Sequence, residues 1–395
     1  APTFSQGAAV TGNLSATGTI STSDLSATGT ITGSSAITTD NLTVGTATFP
    51  TAGALSNRNL IINGAMQVAQ RGTSAITSGT AYPVDRFFLT NGTAGTFSVQ
   101  YSATSPENLG QSISFTVTGA DASPDPTDFS SIRYKVEHND MRHLYWGYSS
   151  ASSVTLSFYV RSSVTGTHGG AIRNDSVNRA HPFSYTISSA NTWERKEITI
   201  SGETSGSWGS GANTGLEINW CMGAGSSRLG TAGSWNNDNN VGATGQVNLY
   251  ATSGATFYIA GVQLEVGDTA TPFEQRSYGD ELARCQRYYY MAVNGSTQSL
   301  GTGWWYGSTN TSVVVQHPVT MRATPSVDYN SGVGYYSIER GGGTGSAQGA
   351  FGVSNSTARQ SRIYDNTTAT GGVQGNAAWW YSTNSNAYVA FDAEL

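Results

Sequence analysis

Apolar and polar residues alternate over many short stretches of this chain, and a period of two predicts β-strands. The run from Tyr258 to Val266 has an apolar residue at every second position, which predicts a strand with one buried face that ends at Gly267. The run from Val154 to Val160 alternates in the same way, and its polar face is expected to be wet. That face carries Thr155, Ser157 and Tyr159.

Residues 57–276 contain eight such stretches, separated by turn residues. Short strands of this number and spacing are typical of a two-sheet β-sandwich, and we predict one with jelly-roll topology. The predicted strands are Phe97 to Tyr101, Ile113 to Val117, Ile132 to Val136, Val154 to Val160, Glu197 to Ile200, Leu216 to Trp220, Val247 to Tyr250 and Phe257 to Val266.

Residues 292–395 carry further β patterns between Gly-rich stretches, which predicts a C-terminal β-sandwich head. The predicted strands are Val313 to Val315, Tyr335 to Ile338, Ile363 to Tyr364, Trp379 to Tyr381 and Tyr388 to Phe391. We expect the last of them to be tied into a sheet.

The period changes to that of a helix in residues 277–291, between the two β-rich regions. Ser277 and Asp280 are expected to cap its start, and the helix is predicted to run to about Tyr290. Asp280 precedes Arg284 by four residues, so the two can form an ion pair. The helix has an apolar stripe, which either the flanking β-sheets or copies of the helix in neighbouring chains must cover. We predict the second arrangement, a trimeric three-helix junction, whose stripe consists of Tyr278, Leu282, Cys285 and Tyr289.

Residues 1–56 contain an internal repeat, because LSATGTI occurs at residues 14–20 and again at residues 25–31. Each unit is too small to bury its own apolar side chains, which favours a β-repeat shaft in which three chains associate. The alternative is a Ser/Thr/Gly-rich linker without fixed structure. In the shaft, the residues pointing to the shared axis would be Leu14, Ile20, Leu25 and Ile31.

Composition narrows the range of partners. Only 11% of the residues are charged, against about 25% in a typical soluble protein, and the net charge is −6. This balance argues against nucleic acid and anionic membranes as partners. No apolar run is long enough for membrane insertion, and no signal peptide is recognisable, so we expect a soluble chain made in a cytosol. The two cysteines, Cys221 and Cys285, are expected to be buried thiols.

Signals for catalysis are weak. The sequence contains no G-x-S-x-G, C-x-x-C, P-loop or G-x-G-x-x-G motif, so we expect no enzyme activity and no cofactor. Two groups have metal-ligand side chains, but both fall in predicted turns, where polar residues need no ligand, and we expect no metal site. They are Glu137, His138, Asp140 and His143, and Asp121, Asp125 and Asp128.

Aromatic residues are more informative, because several lie in Gly/Ser/Asn-rich segments and not only in apolar runs. An indole can stack on the C–H face of a sugar ring while amides and carboxylates bind its hydroxyls. On a strand, only one residue of a Trp–Trp pair is expected to face outward, the other being core. The candidate carbohydrate-binding residues are Trp235, Asn237, Asp238, Trp304, Trp305, Tyr306, Trp379 and Trp380.

Five segments in order along the chain resemble bacteriophage tail-fibre and related virion fibre proteins, such as those of cyanophages. They are RNLIINGAMQVAQRG (58–72), YPVDRFF (82–88), LEVGDTATPFEQRSYGDELARCQRYY (264–289), HPVTMRATPSV (317–327) and DAEL (392–395). The resemblance covers most of residues 57–395. It implies a homotrimeric fibre whose distal β-rich part binds polysaccharide on the host surface. The amino-terminal domain by which many such fibres join the tail is not recognisable in this sequence, so the attachment point is open.

The sequence therefore predicts a homotrimeric phage tail fibre that adheres to host cell-surface polysaccharide, contacts other tail or capsid proteins through its N-terminus and is assembled in the bacterial host cytoplasm. Two alternatives stay open. One is a capsid-attached structural fibre without a receptor. The other is a polysaccharide depolymerase, which needs a pair of carboxylates about 5–10 Å apart in a groove.

Overall fold

Antiparallel β-sheets make up nearly all of the regular structure in the computed structural model, which describes residues 41–44, 47–50, 57–106, 109–332, 334–340, 345–366 and 369–395. The first two strands, β1 (Asn41–Val44) and β2 (Ala47–Pro50), pair antiparallel. The repeat predicted at residues 14–20 and 25–31, with Leu14, Ile20, Leu25 and Ile31, lies outside the described residues.

Two sheets of six and five strands form a sandwich that begins after residue 57. The larger has the order β10-β9-β12-β7-β4-β3 and the smaller β11-β8-β15-β6-β5, and a short parallel pair, β13-β14, lies beside them. The strands are β3 (Ala81–Val84), β4 (Phe87–Asn91), β5 (Thr96–Ser102), β6 (Ser112–Gly119), β7 (Phe129–Glu137), β8 (Val154–Ser162), β9 (Gly166–Asn174), β10 (Ala180–Ile187), β11 (Glu194–Ile200), β12 (Thr214–Ala224), β13 (Leu229–Gly230), β14 (Gly242–Ala243) and β15 (Thr256–Val266).

Apolar side chains from both sheets fill the space between them. Phe158 of β8 meets Trp220 of β12 edge-on, with ring centroids 5.8 Å apart, and both are buried. Such aromatic contacts add to the free energy gained by burying apolar area. The predicted two-sheet sandwich is therefore confirmed in this part of the chain.

A second sandwich follows, built from a three-stranded sheet, β16-β25-β19, and a seven-stranded sheet, β21-β20-β24-β17-β18-β23-β22. Its strands are β16 (Tyr289–Asn294), β17 (Ser299–Trp305), β18 (Thr311–Gln316), β19 (Ser326–Tyr329), β20 (Tyr336–Arg340), β21 (Gly345–Gln348), β22 (Gly352–Ser354), β23 (Gln360–Asp365), β24 (Ala377–Ser382) and β25 (Tyr388–Asp392). Tyr336 of β20 donates its hydroxyl to the carbonyl of Tyr388 in β25, 2.7 Å away, across the core. As predicted, β25 is tied into a sheet, between β16 and β19.

Helical structure is limited to α1 (His138–Met141), α2 (Tyr278–Gln286) and three 3-10 turns, Arg142–Leu144, Ser226–Arg228 and Leu249–Ala251, within the described residues. None of these helices is long and apolar enough to span a membrane. The strand predicted at Val247 to Tyr250 is wrong. Asn248 accepts a hydrogen bond from the backbone N–H of Tyr250 and so favours the tight turn.

Polar residues are buried on both β8 and β15, where one wet face was predicted. Thr155 is buried because its hydroxyl donates to the carbonyl of Gly267, 2.9 Å away, and the chain after β15 covers that face. In β15, Gly261 has φ 58° and a register shift occurs between Ala260 and Gln263. Such a bulge moves the following residues to the other phase of the strand.

The predicted central helix exists but is shorter than expected. Ser277 caps it by accepting a hydrogen bond from the N–H of Asp280, as predicted. The helix ends at Gln286 and not near Tyr290, because Tyr289 already pairs with Asp392 in the next sheet. Arg284 donates to Asn57 instead of pairing with Asp280.

Much of the apolar stripe of α2 is covered within the chain. Cys285 is fully buried against Ile62 and Val68, and Leu282 packs beside them. Tyr289 has left the helix and is buried in β16, whereas Tyr278 stays exposed. The burial of Cys285 and Tyr289 therefore needs no second chain, although the trimer itself stays a prediction. Cys221 and Cys285 are both buried free thiols, as expected.

Candidate functional site

The two Trp–Trp pairs lie on adjacent strands of the seven-stranded sheet, and each has one indole inside and one outside. Trp305 and Trp380 are 0% and 1% exposed and belong to the core. Trp304 and Trp379 are 41% and 44% exposed. The prediction that one residue of each pair faces outward is confirmed, and the candidate residues Trp305 and Trp380 are the two that lie in the core.

The register of β17 and β24 places the exposed indoles on the same face of the sheet. Trp304 is opposite Ala377, and Trp379 is opposite Thr302, so the two indoles are diagonal neighbours. Diagonal pairs on one face are close enough for aromatic side chains to share a surface. We call this surface the aromatic face; its exposed or half-buried rings are Trp304, Tyr306, Tyr364, Trp379 and Tyr381.

Small residues separate the large rings of the aromatic face. Across neighbouring strands, Trp304 is opposite Ser312, and Ser312 is opposite Tyr364. Tyr364 is in turn opposite Gly352, whose hydrogen points at the tyrosine ring, because a Cβ there would lie 2.4 Å from the ring. Ser312 therefore lies between Trp304 and Tyr364, and the ring of Tyr364 lies over Gly352.

Neighbouring rings hold each other in place. Trp379 and Tyr381 are stacked with centroids 4.6 Å apart, and Trp304 meets Tyr306 edge-on at 5.5 Å. The indole N–H of Trp379 donates to the hydroxyl of Ser299, 2.9 Å away. Side chains fixed in this way lose little rotamer entropy when a ligand binds.

An open cavity of about 790 Å³ lies at one end of the aromatic face, within the range of about 300–1,000 Å³ that is typical of ligand sites. The guanidinium of Arg362 lies 5.4 Å from the ring centroid of Tyr306 and 5.1 Å from that of Tyr364. Cation–π contacts at such distances orient a cation beside the rings. Polar groups that can bind hydroxyls also line the cavity: Asn310, Thr311, Ser354, Asn355, Asp365 and Asn366.

The sequence patterns did not single out Arg362 or Tyr364 as candidate contacts. The alternation in Gln360–Asp365 places Arg362 and Tyr364 on one face of the strand, and this pattern is visible in the sequence. The local pattern does not show whether that face points to solvent or lies near Trp304. Both depend on pairing between strands about 50 residues apart in the sequence.

Trp235 lies in the first sandwich, in a cluster of three indoles. Its ring centroid is 5.4 Å from that of Trp146 and 5.5 Å from that of Trp208, both edge-on, and it is half-buried. Asn237, which is exposed, accepts a hydrogen bond from Arg179, and Asp238 is exposed beside it. A contact of Trp235, Asn237 or Asp238 with a ligand stays a prediction, in a different sandwich from the aromatic face.

Two ion pairs with a buried partner lie elsewhere, where the two sandwiches meet, Arg86 with Glu394 and Arg287 with Glu137. Burial alone would raise the pKa of Glu137, but hydrogen bonds from Arg287 and Tyr288 hold it below its usual value. Glu137 is thus engaged by a cation of its own chain. Within the residues that the structure describes, no group of three or more His, Cys, Asp or Glu side chains is placed to hold a metal ion.

Comparisons with known proteins give only distant structural likenesses. No family model and no curated protein matches the chain. Among solved structures, the enzymatically active domain of bacteriophage CBA120 tailspike protein 4 is similar with a TM-score of 0.30 and 15% identity, over 55% of this chain and 24% of that chain. The match thus spans about a quarter of the tailspike chain.

Two carbohydrate-binding modules are similar at the same level. The family 11 module of the cellulosomal cellulase Lic26A-Cel5E of Clostridium thermocellum has a TM-score of 0.26 and 13% identity, covering 50% of this chain and 96% of that chain. TmCBM61, solved with β-1,4-galactotriose, has a TM-score of 0.28 and 10% identity, covering 53% and 100%. All of these TM-scores are below 0.5, so none of the likenesses carries an argument about the function of this chain.

Proposed function

We propose that this chain is a homotrimeric virion fibre protein that adheres to polysaccharide on the host surface, and that the aromatic face is its sugar-binding surface. The observation that carries the proposal is the exposure of Trp304 and Trp379, side by side on one face of a sheet whose opposite side is core. Large exposed aromatic patches on soluble proteins mark interaction sites.

The chemistry of the aromatic face fits sugars better than it fits apolar ligands. Indole and phenol rings offer flat surfaces for the C–H faces of pyranose rings. Amides, hydroxyls and Arg362 line the adjoining cavity and are suited to bind hydroxyl groups. With 11% charged residues and a net charge of −6, the chain has little Coulombic attraction for nucleic acid or anionic membranes.

Virion location and trimeric assembly are proposed on the resemblance of the five segments to phage fibre proteins, together with the N-terminal repeat. In a trimer, three copies of a weak site raise the overall affinity through effective concentration. Binding without cleavage is part of the proposal, since adhesion by stacked aromatic rings needs no catalytic group. Immunogold labelling of purified virions tests the location: gold at fibre tips supports it, and unlabelled particles contradict it.

The binding test uses the full chain on an array of bacterial surface polysaccharides. Trp304→Ala with Trp379→Ala is expected to weaken binding at least tenfold, because both stacking surfaces are removed while the core partners stay. Trp193→Ala, a half-buried tryptophan of the first sandwich, is the matched control and is expected to bind as the unmodified chain does. Equal binding by the double variant and the control would overturn the assignment of the aromatic face.

A further inference from the structure

Two tyrosines of the first sandwich project into solvent between α1 and β8. Tyr145 is 57% exposed and Tyr148 is 68% exposed, although neither was selected from the sequence. Both border a cavity of about 520 Å³ on the same segment. A cavity of this volume is within the range of about 300–1,000 Å³ that is typical of ligand sites.

Backbone hydrogen bonds hold this segment in a fixed conformation. The N–H of Tyr145 donates to the carbonyl of Arg142 at 3.3 Å, and the N–H of Tyr148 donates to the carbonyl of Tyr145 at 3.1 Å. Gly147 ties the segment to another loop by donating to the carbonyl of Glu203, 2.7 Å away. Tyr145 has φ 53°, the left-handed region that a bulky side chain rarely adopts. Backbone strain of this kind is concentrated at functional sites.

The floor of the cavity is apolar and rigid. Trp146, Trp208 and Met141 are all buried, and the two indole rings meet edge-on at 4.7 Å. Each indole N–H is satisfied within the protein, by the carbonyls of residues 152 and 205. The floor therefore presents ring and thioether surface, and its indole N–H groups need no hydrogen bond from a ligand.

The cationic side chain of Arg142 lies at the edge of this apolar surface. Arg142 lines the cavity, is exposed, and takes part in no ion pair within the described part of the chain. The hydroxyls of Ser149 and Ser150 line the same cavity, and His138 borders it with its Nδ1 hydrogen-bonded to the carbonyl of Trp208 at 2.7 Å. An available guanidinium favours an anionic partner, because hydrogen bonds between ionised groups are about twice as strong as neutral ones.

We propose that this cavity is a second saccharide site and that it binds a hexuronate residue of an acidic polysaccharide. The sugar ring lies against Tyr145 and Tyr148, the carboxylate pairs with Arg142, and ring hydroxyls bond to Ser149 and Ser150. The inference rests on the proposed function in taking polysaccharide as the partner, but it concerns a different sandwich from the aromatic face. A purely neutral sugar would leave the role of Arg142 unexplained.

The test is calorimetric titration of the full chain with oligogalacturonate and with its carboxyl-reduced, neutral derivative. Arg142→Gln is expected to weaken oligogalacturonate binding at least tenfold and to leave binding of the reduced derivative unchanged. Tyr148→Ser is expected to weaken both. Tyr145→Asn is expected to weaken both as well. Asn is chosen because it tolerates positive φ, so the ring is removed without straining the backbone. Val373→Ser, at an equally exposed apolar residue outside both sites, is the control.

Several outcomes would overturn the proposal. These are no saturable binding of oligogalacturonate by the unmodified chain, equal loss of both probes in Arg142→Gln, or no loss in Tyr148→Ser. A second copy of the chain is the other occupant that the exposed rings suit. A fall in solution mass of Tyr148→Ser, with unchanged oligogalacturonate binding, would identify it.

The same titration keeps this inference separate from the proposed function. The variant carrying Trp304→Ala and Trp379→Ala is expected to retain the Arg142-dependent binding of oligogalacturonate. Loss of that binding in this variant would place the hexuronate site on the aromatic face and overturn the second site. Retention, with a failure of the aromatic-face test on the polysaccharide array, would contradict only the proposed function.

Discussion

The guanidinium of Arg86 donates a hydrogen bond to the carboxylate of Glu394, although 308 residues separate them in sequence. Arg86 is in the turn between β3 and β4 and is 2% exposed, and its guanidinium lies 3.5 Å from the ring centroid of Tyr288. Glu394 follows β25, and its side chain is 7% exposed. This pair therefore joins the first sandwich, the end of α2 and the second sandwich at one buried point.

Glu394→Gln should destabilise the protein strongly, because it leaves the buried Arg86 without its counter-charge. Breaking one partner of a buried ion pair costs about 3–5 kcal/mol. Urea unfolding followed by tryptophan fluorescence measures the change. Glu197→Gln is the control, since Glu197 pairs with Arg195 at the surface and is half exposed. That variant should cost less than about 1 kcal/mol, and similar losses in both variants would contradict the role of Arg86 and Glu394.

Stability should depend on pH through Asp85. Burial raises the pKa of its carboxyl to about 6 against the effects of Arg71 and Gln70, which lower it. Because the folded-state pKa lies above the unfolded value of 3.8, the folded state binds the proton more tightly. This contribution to stability is fully present below pH 3.8 and is lost as the pH rises through about 6.

Asp85→Asn isolates this effect. The difference in unfolding free energy between the unmodified chain and Asp85→Asn should change by up to about 3 kcal/mol between pH 4 and pH 7, in favour of the variant at the higher pH. Unfolding curves at half-unit pH intervals measure it. A difference that is constant with pH would refute a raised pKa for Asp85.

Gly64 and Gly279 should respond to alanine in opposite ways. A Cβ at Gly64 would lie 2.1 Å from the carbonyl oxygen of Val262, a backbone atom that also lies beside the side chain of Asn59. Gly64→Ala should cost about 1–3 kcal/mol through overpacking. Gly279 is in α2 with open space around it, so Gly279→Ala should stabilise by up to about 1 kcal/mol. Melting temperatures of the two variants give the comparison, and equal melting temperatures would contradict it.

The proposed trimer predicts a mass of about 124 kDa by light scattering, three times the 41.3 kDa of one chain. Tyr278 is the member of the helix stripe that stays largely exposed in the single chain, so it is the one available to a neighbouring helix. Tyr278→Asp should lower the trimeric fraction, because a carboxylate at a contact between helices would lose its hydration. A mass of 41.3 kDa for the unmodified chain at micromolar concentration would exclude the trimer.

Sequence patterns predicted the strands whose apolar residues alternate, such as β8, and missed strands that lack this alternation. β9, for example, reads GTHGGAIRN, and its Arg173 is buried because it pairs with Glu217 on the adjacent strand. The outward direction of Trp304 and Trp379 followed from alternation alone. Their closeness to Arg362 and Tyr364 depends on strand order. The pairing of Arg86 with Glu394 depends on tertiary folding. No local sequence pattern signals either contact.

The five segments 58–72, 82–88, 264–289, 317–327 and 392–395 all contribute residues to the region where the two sandwiches meet. Arg71 and Arg86 contact Glu394, Arg287 contacts Glu137, and Arg322 donates to the carbonyls of residues 393 and 394. None of the residues of the aromatic face lies in these segments. The proposed sugar contacts therefore lie outside the segments that join the two sandwiches.

The long sequence separation of Arg86 and Glu394 has a consequence during synthesis. At about 5–20 residues per second, the ribosome needs roughly 15–60 s to add the 308 residues between them. Throughout that interval the first sandwich presents Arg86 without its carboxylate, on a surface that the second sandwich will later cover. Docking of the sandwiches is therefore a late step, and a nascent chain stalled before residue 394 should leave the side chain of Arg86 uncovered.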